Sequence, residues 1–106
     1  MAIAQPSPQP ISPQDHLDPL TSLPDRLLLN WRLKEEMEKG QRYDTPFSLL
    51  LLDIDHFKSI NDAFGHMRGD QVLMELAHRL KVLSRETDFV FRYGGDEFVI
   101  MLSDAD

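Results

Sequence analysis

The sequence predicts an α/β or α+β fold, a mixed sheet with flanking helices, and three observations predict it. The run FSLLLLDID at residues 47–55 is short, almost continuously apolar and ends in carboxylates, as a strand does. FVFRY and EFVIML, rich in aromatic and branched residues, flank Gly94 and Gly95 and read as an antiparallel hairpin with a Gly-Gly turn. Between the first strand and that hairpin, Val72, Leu73, Leu76, Leu80 and Leu83 mark one face of a helix. A helix, a strand, a helical crossover and a strand pair in that order make a partial sheet covered by helices.

Residues 1–17 are rich in Pro, Gln and Ser, hold Pro6, Pro8, Pro10 and Pro13, and show no sustained period, which predicts a disordered N-terminal arm or linker. The domain is expected over 18–106. Leu29, Leu33 and Met37 recur four apart, with Pro24 and Asp25 suited to a helix start and Gly40 to a stop, so a helix is expected over 24–39. The unbroken hydrophobicity of residues 49–52 suits a central strand covered on both faces. Beyond it, Phe57 and Ile60 have helical spacing, Phe57 and Phe64 are expected to pack, and residues 65–70 form a Gly-containing break before the longer helix. Residues 86–88 make a polar connection to the hairpin.

With 106 residues, no Cys and 42% apolar composition, the chain accommodates one core. Eighteen acidic against eleven basic residues give a net charge of −7, which disfavours a DNA or RNA footprint and a basic membrane-surface helix. The lack of Cys removes disulfides and thiolate ligands, and His16, His56, His66 and His78 lack the spacing of a structural zinc module. No apolar run approaches the roughly 20 residues of a membrane span and no signal-peptide pattern opens the chain, so a cytoplasmic setting is expected.

Acids gather where the strands end. Asp53 and Asp55 stand at the end of the first strand. Asp96 and Glu97 follow the two glycines, whose missing Cβ atoms let a ligand approach the backbone. Asp53 with Asp96 suits a hard divalent cation, while solvated acids at a strand end and in a turn account for the same residues. Taken alone, Asn61 reads as a helix end and Asp70 as a cap before VLMELAHRL.

Three blocks in order resemble one family. RYGGDEF at 92–98 resembles the signature of the GGDEF family of diguanylate cyclases, DIDHFKSINDAFGHMRGD at 53–70 its second block, and DPLTSLPDR at 18–26 its opening motif, with Ser22 where glycine is usual and Asp25 where asparagine is usual. The resemblance implies a partial nucleotidyl-cyclase-like sheet with a central GGDEF hairpin, residues 18–106 being the N-terminal portion of the domain. It implies Mg²⁺ or Mn²⁺ held by Asp53, the Ile54 backbone carbonyl and Asp96, and catalytic roles for Glu97 and Asp96. Asn61 and Asp70 would read guanine, Lys58 would contact phosphate, and Gly94 and Gly95 would admit the phosphates near the backbone. Arg92 is expected to bind a carboxylate as structural support.

The activity so implied is condensation of two GTP into cyclic di-GMP with release of two pyrophosphates, in an antiparallel homodimer that brings two half-sites together. RETD at 85–88 resembles the family's inhibitory RxxD site, which makes Arg85 and Asp88 candidate contacts for cyclic di-GMP. The family domain normally runs well past the hairpin, so weak or absent turnover is expected of these 106 residues alone. A noncatalytic module that binds cyclic di-GMP or GTP, or a structural fragment of a longer signalling protein, are the alternatives.

Overall fold

Side-chain alternation along the last strand sets the layers of the molecule. The computed structural model describes residues 13–43 and 46–103 and contains α1 (Arg26–Tyr43), β1 (Phe47–Asp53), α2 (Phe57–Phe64), α3 (His66–Leu83), β2 (Asp88–Arg92) and β3 (Glu97–Ser103). β3 is the middle strand of the order β1-β3-β2, and both of its pairings are antiparallel. Phe98 and Ile100 face one core with Val90, Leu73 and Ala77, whereas Val99 and Met101 face a second with Phe91, Leu28 and Leu29. The period of two along the strand thus serves two cores, α2 and α3 covering one face and α1 the other. The expected α/β or α+β class is observed, with the hairpin supplying the central strand.

One expectation is corrected here. β1 is an edge strand of the described sheet and not a covered central one, and Leu49, Leu50 and Leu51 are 43%, 48% and 64% exposed. Both helical layers seat against β2. Of residues 47–55, Phe47, Leu52 and Ile54 join the cores.

Asp25 caps α1, its Oδ1 accepting the Leu28 N–H at 3.0 Å. The helix starts at Arg26 and passes through Gly40 to Tyr43, so Gly40 is not the expected stop. One glycine costs a helix about 1 kcal/mol without ending it. Arg32 anchors α1 to the sheet, its guanidinium 4.3 Å from the Phe89 ring centroid and 3.5 Å from the buried Glu36 carboxylate.

Two helices follow β1 as expected, but the break between them is Gly65 alone (φ 89°), and Asp70 lies inside α3 and is not its cap. The second glycine of that stretch serves packing: a Cβ on Gly69 would collide with Asn61 Oδ1 and lie 3.3 Å from the Phe57 ring, so its absence lets α2 and α3 touch. Phe57 joins the core, whereas Phe64, expected to pack, is 71% exposed, because Gly65 turns the chain before α3 can cover that end of α2. Of the expected arm, residues 1–12 lie outside the described residues; Pro13–His16 form a 3₁₀ turn and Leu17 bridges Pro24. No helix among the described residues is long and apolar enough to cross a membrane.

Among the described residues, two other than glycine hold left-handed backbone, Ser22 (φ 61°) and His56 (φ 58°). That conformation costs about 1–2 kcal/mol for a residue with a Cβ, against about 0.5–1 kcal/mol for glycine's greater freedom when unfolded. Ser22→Gly is therefore expected to raise stability by about 0.5–1 kcal/mol and Ser22→Val to lower it by about 1 kcal/mol. Urea unfolding followed by Trp31 fluorescence measures both.

Candidate active site at the hairpin end of the sheet

Strand pairing brings acids from two chain segments together. Asp53 is the register partner of Glu97, and one step further the Ile54 N–H donates to the Asp96 carbonyl at 3.1 Å. Directly opposed residues have Cβ atoms roughly 4.5–5.5 Å apart, and like charges placed so oppose folding. The Asp53 side is exposed, and Asp96 and Glu97 are half-buried. An acid pair that costs stability at a strand end is chemically matched to a cation.

Backbone hydrogen bonds close the hairpin around residues 94–96, with the Tyr93 and Gly94 N–H groups donating to the Glu97 carbonyl at 2.9 and 3.3 Å. The expected Gly-Gly turn is thus a longer loop, and neither Gly94 nor Gly95 has the left-handed φ of a two-residue hairpin turn. A Cβ on Gly94 would run into Glu97 Oε1, so this glycine leaves room for that carboxylate to fold over the loop. Around Gly95 nothing lies within 4 Å of an added Cβ. Neither its φ nor packing among the described residues calls for glycine there.

Arg92 fixes the loop from behind. Its Nε donates to the Gly94 carbonyl at 3.3 Å and its Nη2 to the Gly95 carbonyl at 2.8 Å, while Nη1 binds both Asp18 carboxylate oxygens at 3.0 Å. Its backbone N–H donates to the Pro24 carbonyl at 2.9 Å. The sequence reading assigned Arg92 a carboxylate partner, which is observed, but singled out no role for Asp18. The available signal was the spacing D-x-x-T: Asp18 Oδ2 accepts both the N–H and the hydroxyl of Thr21 at 2.8 Å, a local turn that aims the carboxylate. Partial burial raises the Asp18 pKa, but the Thr21 donors and the Arg92 guanidinium outweigh it and hold the carboxyl below its ordinary 3.8.

On the other side of the acids, α2 and α3 bring Asn61 against Gly69, the residue before Asp70. Asn61 Oδ1 is buried and has no hydrogen-bond partner among the described residues, whereas Asp70 is exposed. A buried amide oxygen without a partner costs about 1–3 kcal/mol. Lys58, exposed at the second position of α2, forms no ion pair among the described residues. Arg85 and Asp88 lie at the far end of β2 from the acids, already engaged with each other. Arg85 Nε donates to both Asp88 carboxylate oxygens at 3.2 Å, Nη2 to Oδ1 at 3.0 Å, and Nη2 also to the Ser103 carbonyl at 3.3 Å. These bonds, with the Arg85 N–H, hold Asp88 below its ordinary 3.8.

Among the described residues no three or more His, Cys, Asp or Glu side chains converge on one point. Strand pairing sets Asp53 opposite Glu97 and bonds the Ile54 backbone to that of Asp96, and every donor these residues offer a cation is an oxygen. Such a set fits a hard divalent cation that completes its shell with water or phosphate oxygens.

With this geometry in place, the sequence matches the family described as diguanylate cyclase, GGDEF domain, over residues 15–106. The chain belongs to the GGDEF family. This GGDEF chain is 49% identical over 85 residues to the diguanylate cyclase DgcP of Pseudomonas aeruginosa, covering 80% of the chain and 13% of DgcP. It is 44% identical over 89 residues to the diguanylate cyclase DosC of Escherichia coli, covering 84% of the chain and 19% of DosC. Among solved structures, the P. aeruginosa diguanylate cyclase SiaD, in complex with its activator SiaC, superimposes with a TM-score of 0.85 at 43% identity, over 88% of this chain and 36% of that one. The GGDEF domain of DgcB from Caulobacter crescentus, in complex with c-di-GMP, gives 0.84 at 31% identity, over 94% and 57%. The GGDEF chain therefore spans only a fraction of these relatives.

The Asp18–Arg92 pair yields a prediction with a defined sign. Because the folded pKa of Asp18 is depressed, its contribution to stability is complete above 3.8 and is lost as pH falls through the folded value. Asp18→Asn is expected to cost about 1.5–3 kcal/mol at neutral pH, the range for a hydrogen bond to a charged group. The difference from wild type should narrow as the medium is acidified below pH 3.8, as thermal unfolding across that range would measure.

Proposed function

We propose that this chain is the front portion of a diguanylate cyclase domain, beginning at residue 18 behind an arm or linker, that joins two GTP into cyclic di-GMP and two pyrophosphates. The observation that carries the reading is the strand pairing of Asp53 and Ile54 with Asp96 and Glu97 beside Gly95, whose bare Cα nothing else in the described chain requires. In the reaction each 3′-oxygen forms a bond to the α-phosphorus of the other nucleotide as the bond to pyrophosphate breaks. Glu97 accepts the proton of the attacking 3′-hydroxyl, from a carboxylate folded over the loop. Asp53, the Ile54 carbonyl and Asp96 would hold Mg²⁺ or Mn²⁺, which when bound neutralises phosphate charge and eases departure of pyrophosphate.

Base recognition falls to Asn61 and Asp70. The Asn61 amide donates to a purine carbonyl and the Asp70 carboxylate accepts the N1 and exocyclic amino protons, a combination that guanine presents and adenine does not. Lys58 contacts phosphate, and Gly94 and Gly95 let the phosphates close on the backbone. Since each copy supplies one nucleotide, the reacting groups meet in an antiparallel homodimer. The net charge of −7 suits a ligand met through a cation and not a nucleic-acid backbone, and the substrate suits the cytoplasm. Arg85 and Asp88 form a second site, for cyclic di-GMP as product and inhibitor; the 31% identical DgcB domain solved with c-di-GMP supports that ligand class.

Incubation of these 106 residues with GTP and Mg²⁺ or Mn²⁺ is expected to give at most weak formation of cyclic di-GMP and pyrophosphate, with Glu97→Ala and Asp96→Ala each reducing the measured rate by about 10²-fold or more. A folded wild-type chain that forms no product would sink the reading for these 106 residues. Asn61→Ala is expected to weaken binding of a fluorescent GTP analogue by about 10-fold, the loss of one buried hydrogen bond, and to leave the ATP analogue unaffected.

A further inference from the structure

We propose that Gly69 is the positioning residue for base selection: its bare Cα seats the Asn61 side-chain oxygen between α2 and α3, so that the amide meets a purine with its NH₂ and the site takes guanine over adenine. This inference rests on the assignment of Asn61 and Asp70 to the base made above. It adds the residue that decides which end of the amide the ligand meets.

Asn61 is half-buried on α2, yet its Oδ1 is fully buried and has no hydrogen-bond partner among the described residues. A Cβ on Gly69 would run into that oxygen, and the direction of such a Cβ is that of one Cα hydrogen of the glycine. Oδ1 therefore rests on a C–H, a weak donor, in space that a side chain would occupy. The Gly69 N–H is not at its disposal, because it donates to the Gly65 carbonyl at 3.2 Å. The Phe57 ring closes the seat, 3.3 Å from the place of the Cβ, and as a core residue it has little room to retreat. The Asn61 carbonyl in turn accepts the Gly65 N–H at 2.8 Å, which ties the backbone of the amide to the turn that starts α3.

A half-turn of the amide would set its NH₂ against the same C–H and leave two donors unpaired in place of one acceptor. Buried N–H groups without a partner are rarer than under-satisfied carbonyl oxygens, so the seat selects the oxygen. With Oδ1 turned in, Nδ2 is the amide atom left for a ligand. Asp70, exposed and next in the chain to Gly69, offers acceptors alongside it. A donor beside an acceptor matches guanine, which carries an oxygen at C6 and donors at N1 and C2. Adenine has an amino group at C6 and a bare N1, so it sets donor against donor and acceptor against acceptor. Selectivity thus resides in a residue that need not touch the base.

Binding of fluorescent GTP and ATP analogues to the 106-residue chain and to its Gly69→Ala, Asn61→Ala and double variants tests the proposal. Gly69→Ala should weaken binding of the GTP analogue by about 10-fold, as Asn61→Ala does, and leave the ATP analogue unaffected. In the Asn61→Ala background the same substitution should cost nothing further, since the oxygen that a Cβ would meet is gone. A residue that merely spaces α2 from α3 would weaken both nucleotides alike, or add its loss to that of Asn61→Ala; either result would overturn the positioning role and leave the base assignment standing. If Gly69→Ala fails to fold, NMR of the wild-type chain decides: the Asn61 side-chain NH₂ signals should shift with the GTP analogue, and signals that stay in place while it binds would overturn the proposal. Wild-type affinity in Asn61→Ala, or a folded chain that binds neither analogue, would overturn the base assignment and this inference with it.

Discussion

The guanidinium of Arg92 is the interaction on which the arrangement at the hairpin depends. It ties a carboxylate 74 residues earlier in the chain to two carbonyls of the loop just after it. A planar fork of donors can do this and a lysine ammonium, as a point charge, cannot hold the same three acceptors in fixed directions. The 94–96 loop has no left-handed glycine to set its shape, so its carbonyl directions are set from outside, by Arg92. Asp18 in turn is aimed by Thr21, and partial burial of the pair keeps the charge from being spent on water.

Two chemical demands meet at the end of β1. Stability favours separating Asp53 from Glu97, since opposed like charges repel, while cation and phosphate chemistry favours bringing them together. The sheet decides in favour of the second, because the register follows from the apolar pairs behind the acids. Leu52 sits across from Phe98 and Leu51 across from Val99, and a shift by one residue would turn every one of these side chains to the wrong face. The acids are carried to the edge by hydrophobic register and not by any attraction between them.

Some of this was legible in the residues. Asp53 at a strand end, the hairpin after residue 92 and the two helices between strands follow from periodicity, and the motif blocks identified the family through short-range patterns. Other parts were misleading. Gly40 and Gly69 both look like breaks, yet one is carried inside α1 and the other lets α2 and α3 approach, because a helix absorbs a single glycine when packing repays its entropy. The leucines of β1 look like a covered strand, but apolar character on both faces does not say on which side a neighbour lies. Asp18 looks like a turn residue, and its partner is 74 residues away.

The sequence by itself determined which residue types were available at each position, where the helical and extended periods begin, and that oxygen donors, an amide and glycines follow one another in the order a GGDEF chain requires. Only the tertiary structure decided that β3 is the central strand, that Asp53 faces Glu97, that Asn61 Oδ1 is left without a partner, and that Arg92 joins Asp18 to the loop. The physical reason is range. Backbone conformation and side-chain period act over a few residues and can be read locally, whereas register and ion pairing depend on how two distant surfaces bury their apolar faces against each other.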